Sequence, residues 1–120
     1  MSQTVIVRGM TKEWFMDHFK NMTVHFGGDP RGVPVKDAQF IGFYLEAPDS
    51  AITHIGIVDM DNIQREAGGA EFPLKAIIRL DTPVVVSDGH AIRKHEYWTL
   101  EDLGIDQIAL IINRFAIAST

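Results

Sequence analysis

Between Phe40 and Asp88 the chain passes through three β-rich segments, FIGFYL, SAITHIGIVDM and LKAIIRLDTPVVVSD, divided by short turns. Side chains alternate between the two faces of a strand, so each segment splits into two rows. In FIGFYL one row is Ile41, Phe43 and Leu45, and the other is Phe40, Gly42 and Tyr44. In SAITHIGIV strict alternation puts Ile52, His54, Gly56 and Val58 in one row and Thr53, Ile55 and Ile57 in the other. Neither row is wholly polar. A sheet with one wet face leaves a polar row, whereas a curled or barrel-like sheet packed on both sides does not. This patterning is the strongest constraint on the fold.

The flanking sequence completes the expectation. Thr4–Arg8 (TVIVR) is a β-branched run and the expected first strand. In 12–22, KEWFMDHFKNM, Trp14, Phe15, Phe19 and Met22 recur at helical spacing. Thr11 is placed to cap that helix, with Glu13 in its first turn. The glycine- and proline-rich 26–37 reads as a loop. Pro83 interrupts the long segment and demands a bulge, break or edge there. TLEDLGI, 99–105, has Thr99, Asp102 and Gly104 where a capping box and a helix stop require them, and IALIINRFAI reads as a final strand. The expected fold is one α+β domain over 1–120, a small mixed β-barrel with an N-terminal helix and a short late helix.

Charge narrows the function. Eleven basic against sixteen acidic residues give a net charge of −5. A general nucleic-acid binder neutralises many phosphates and is normally basic, so any nucleic-acid contact here is expected through a local patch and a pocket. Cysteine is absent, which removes disulfides, thiolate nucleophiles and cysteine-based zinc sites. No apolar run reaches the length of a membrane span, and MSQTVIVRGM lacks a signal-peptide core, so a cytoplasmic protein without a membrane partner is expected.

The order and character of Ile41–Leu45, His54–Val58, Leu74–Pro83 and Tyr97–Leu103 resemble the PUA-like superfamily of EVE, ASCH and YTH domains. The resemblance spans roughly Gln39 to the end. It implies a pseudobarrel that binds RNA or a modified base in DNA, often with one base in a pocket. The Gly-x-Lys-x-x-Glu-x-Arg signature of ASCH domains and the tryptophan-rich start of many EVE domains are absent, so no catalytic role is carried over from either branch.

The candidate ligand-binding residues are Tyr44, Ser50, Thr53, His54, Arg93, Lys94 and Trp98. His54 lies beside Gly56, whose missing Cβ leaves space for an imidazole to bond a ligand or a backbone carbonyl. Thr53 and Ser50 offer hydroxyls, and Ser50 also suits the Pro48–Asp49 turn. Tyr44 offers a flat ring for a base or a core. GHAIRKHEYW, 89–98, interleaves cations with aromatics, so Arg93 and Lys94 suit phosphate while Trp98 suits stacking or packing. Arg31 in the glycine loop offers an anion contact, but no P-loop or dinucleotide fingerprint is present. No metal or cofactor is expected. DMDNIQRE has Ile63 where a calcium loop needs oxygen, and His90 and His95 lack acidic partners at ligand spacing. A nucleic-acid reader is therefore expected, with Tyr44, Thr53 and His54 converging on one hollow. Two alternatives remain open: a small hydrolase acting on a modified nucleoside, and a module that homodimerises through NRFAIAST and the VVV run.

Overall fold

The computed structural model describes residues 4–27, 33–34, 36–46, 48–85 and 95–106. Among these the elements run β1 (Thr4–Met10), α1 (Lys12–Asn21), β2 (Thr23–Gly27), β3 (Phe40–Leu45), β4 (Ala51–Val58), β5 (Gln64–Glu66), β6 (Gly69–Val84) and β7 (His95–Thr99), with a 3₁₀ turn at Met60–Asn62. The strands form one sheet in the order β2-β6-β4-β3-β1-β7, with β5 also on β6. Only β1 and β3 pair in parallel; the rest are antiparallel. The sheet curls into a half-barrel with one helix, the coarse form of the expected fold. No helix among the described residues is long and apolar enough to cross a membrane.

Local signals explain most elements. Thr11 Oγ1 accepts a hydrogen bond from Trp14 N at 3.2 Å and starts α1. Met22 stops it in a left-handed conformation, its N–H shared between the His18 and Phe19 carbonyls. TLEDLGI forms one hydrogen-bonded turn rather than a helix. Thr99 and Asp102 cap each other, and the Gly104 and Ile105 N–H groups close on Glu101 and Leu100.

Three elements depart from expectation. Residues 23–27 form strand β2, because Val24 and Phe26 point inward while His25 and Gly27 point out. β6 begins at Gly69, five residues before Leu74, since Gly69–Pro73 pairs with β2. His95–Thr99 is a strand alongside β1 rather than an approach to a helix. The expected final strand at 108–117 lies outside the described residues.

Two cores result. One lies inside the curl, where Ile6, Phe26, Phe43 and Phe72 are fully buried and Phe15 of α1 packs edge-on against Phe43. Burying each such phenylalanine contributes about 1.5–3 kcal/mol relative to exposure. The other covers the opposite face, with Val5, Val7, Tyr44, Ile52, Ile55 and Ile78 closed over by Leu100 and Leu103. Both rows of the central strands are thus used, as their sequence required.

Candidate functional site

The Thr53–His54 pair sits on a β-bulge. Phe43 pairs with His54 and Tyr44 with Ile52, so Thr53 is the extra residue. The neighbouring strand bulges at the same level: His54 pairs with Arg79 and Ile52 with Val84, and β6 bows out through Pro83. The bulge reverses the alternation, turning Ile52 and Ile55 to one core and His54 to the other face. There the His54 ring packs on Phe15 with centroids 4.5 Å apart, and its Nδ1 lies 2.8 Å from Thr53 Oγ1. Tyr44 belongs to the opposite core and is only 4% exposed. The expected single hollow shared by Tyr44, Thr53 and His54 is therefore corrected: the register places the phenol and the imidazole on opposite sides of the sheet. Trp98 packs partly buried against Tyr44's core, and its indole N–H donates to Glu96 Oε1 at 3.1 Å. Ser50 is exposed at the head of β4 with φ 47°, within the turn it was expected to stabilise. Arg93, Lys94, His90 and Arg31 lie outside the described residues.

An open pocket of about 220 Å³ lies instead at the mouth of the half-barrel, where β1, α1 and β2 meet. Arg8, Trp14, Asp17, His18, His25 and Gly27 line it. Arg8 leaves the end of β1 with its guanidinium 4.8 Å from the Phe26 ring centroid and 5.7 Å from that of Trp14. It also donates to the His25 carbonyl at 3.4 Å, bridging from β1 to β2 across the open side of the curled sheet. Trp14, one helical turn before His18, stays 54% exposed beside it.

The electrostatics of this pocket are incomplete. The described ion pairs join Arg65 to Asp37 and His25 to Glu71; neither includes Arg8. Burial lowers the Arg8 guanidinium from its ordinary value, although arginine remains charged at neutral pH. A half-buried cation with aromatic faces and no carboxylate partner among the described residues is a seat for an anion. His18 Nδ1 lies 2.7 Å from the Trp14 carbonyl, so this nitrogen donates and Nε2 is the free one. Burial holds His18 below its usual value, with Arg8 and His25 reinforcing this and the Trp14 carbonyl and Asp17 opposing it. On β2, His25 Nδ1 faces Glu71 Oε1 at 3.6 Å across the β2–β6 pair. Gly27 makes room for that ring, since a Cβ there would fall 2.8 Å from His25 Nε2. No group of three or more metal-ligating side chains occurs among the described residues.

Sequence reasoning missed Arg8, Asp17, His18, His25 and Gly27. Weak signals existed: one cation inside TVIVRGM, aromatic and imidazole four apart on a helix, and a histidine between two apolar strand residues. None shows that these three places meet, because β2 edges the sheet order and β1 lies four strands away from it, so only the curl brings them together. No family model, curated protein or solved structure matches this chain.

Proposed function

We propose that this chain is a PUA-like nucleic-acid-binding module that receives one unstacked nucleotide at the mouth of its half-barrel. The observation that carries the reading is Arg8: half-buried, without a carboxylate ion pair among the described residues, and beside an exposed tryptophan. Arg8 holds the phosphate, Trp14 stacks the base, and the two histidines offer polar edges to the sugar and phosphate. The pocket is smaller than the roughly 300–1,000 Å³ of drug-sized sites, which suits part of one nucleotide rather than a run of them. Unstacking a base costs a few kcal/mol. Stacking on Trp14 at ~1–3 kcal/mol and a charge-assisted bond to Arg8 at ~1.5–3 kcal/mol are of the size needed to offset it. Arg93 and Lys94 are proposed to meet a flanking phosphate.

Binding of a labelled single-stranded oligonucleotide, followed by fluorescence anisotropy, tests the reading. Trp14→Ala is expected to weaken binding by about 5- to 150-fold, the equivalent of ~1–3 kcal/mol. Arg8→Met is expected to weaken it at least tenfold while thermal stability stays within ~1 kcal/mol, because the variant fills the same space without a buried charge. Unchanged affinity in Arg8→Met would sink the assignment. The self-association alternative has one supporting observation: Trp14, Met16 and Phe19 leave much of α1 apolar and exposed. A concentration-dependent dimer by light scattering, abolished by Met16→Glu/Phe19→Glu, would favour it.

A further inference from the structure

The geometry points to more than binding: we infer that this pocket cleaves RNA by general acid–base catalysis, with His18 and His25 as the proton-transferring pair and Arg8 as the phosphate clamp. The inference rests on the nucleotide reading of the pocket and adds a reaction to it.

Each imidazole has an oxygen facing its Nδ1, within hydrogen-bond distance for His18 and at ion-pair distance for His25. His18 donates from Nδ1 to the Trp14 carbonyl at 2.7 Å, so Nε2 is an unprotonated acceptor. His25 turns Nδ1 toward Glu71 at 3.6 Å, and its Nε2 lies against Gly27, which lines the same pocket. An Nδ1 hydrogen-bonded as in His18 leaves Nε2 to handle a proton, as general acid–base catalysis requires. The same pocket is lined by Arg8, which has no carboxylate ion pair among the described residues and offers the charge a phosphate needs. The described pocket lining contains no hydroxyl or thiol side chain, and the attacking oxygen this inference assigns is the ribose 2′-hydroxyl beside the substrate's own phosphate.

In the step, the 2′-oxygen bonds to phosphorus while His18 Nε2 takes the 2′-hydroxyl proton. The bond from phosphorus to the 5′-oxygen breaks, and that oxygen takes a proton from Nε2 of protonated His25. The products are a 2′,3′-cyclic phosphate and a 5′-hydroxyl; solvent exchange restores both histidines. Neutral His18 and protonated His25 are both required, so the rate follows a bell-shaped pH profile. The groups facing the two histidines are Arg8 from β1, Asp17 and the Trp14 carbonyl from α1, and Glu71 from β6.

The test incubates the full chain with a short ribo-oligonucleotide in the presence of EDTA and reads cyclic phosphate by phosphorus NMR, with binding measured in parallel. Cleavage with a bell-shaped pH profile is expected, and an all-deoxy strand of the same sequence is expected to bind but stay intact. His25→Ala, at a side chain 60% exposed and so tolerant of replacement, is expected to slow cleavage about 100-fold or more at saturating oligonucleotide, where any loss of affinity no longer affects the rate. His18→Gln is expected to do the same. Binding without cyclic phosphate overturns the catalytic inference and leaves the binding reading standing; absence of both overturns the two together. Cleavage at equal rates in wild type and in His18→Gln/His25→Ala, or cleavage of the deoxy strand, also overturns it.

Discussion

His54 sits half-buried between the Phe15 ring and the strand carrying Arg79, where a positive charge is costly. Burial lowers its pKa from the ordinary 6.5, and the charge on Arg79 adds to that. His18 is lowered too, chiefly by burial. The folded state therefore holds fewer protons than the unfolded chain once the pH falls to about 6.5, and stability rises with pH wherever the unfolded state binds more. Stability from these two residues is complete above their ordinary value and declines as the pH drops through it toward their folded values. The melting temperature is expected to be flat from pH 8 to 7 and to fall between pH 6.5 and 5, with a shallower fall in His54→Gln. A melting temperature that rises on acidification contradicts the assignment.

At the scale of elements, α1 is held by little. Phe15 and His18 are its buried residues, and the aromatic contacts of Phe15 with the sheet are to Phe43 and His54. Phe15→Ala is expected to cost about 3–5 kcal/mol in a denaturant titration. Amides of α1 are expected to exchange faster with deuterium than those of β3 and β4. The central strands are tight in comparison. A Cβ on Gly56 would lie 3.1 Å from Leu74 and Phe43, so Gly56→Ala is expected to cost about 1–3 kcal/mol by overpacking. A loss under 0.5 kcal/mol would mean the neighbours yield easily and the interface is looser than the distances state. The proposed site thus joins a firm sheet to a lightly held helix, an arrangement that leaves Trp14 free to adjust to a base.

The whole molecule carries −5, so it has no general field to draw in nucleic acid. Affinity must come from a few contacts, and salt dependence counts them. Neutralising one phosphate of a single strand gives a slope of log K against log salt near −0.7, and three give roughly −2. The first value is expected if Arg8 acts alone, and the second if Arg93 and Lys94 also touch phosphate. A slope steeper than about −4 would require a broad basic surface and would contradict the one-pocket reading.

The amino-acid sequence by itself determined the elements whose signals are local. The FIGFYL and AITHIGIV strands, the Thr11-capped helix, the Thr99–Asp102 turn and some break, bulge or edge at Pro83 all follow from periodicity, capping chemistry and the missing proline N–H. Two apolar rows per strand also announced a curled sheet packed on both faces. What only the tertiary structure decided is which residues meet. Strand register assigned Phe43, not Tyr44, to His54, and an extra residue at Thr53 reversed the alternation; both are set by pairing with chain far away in sequence. The curl then carried His25 of β2 to Arg8 of β1 and built the pocket from residues without a common local pattern. Periodicity is a property of neighbours along the chain, whereas a pocket is a property of neighbours in space.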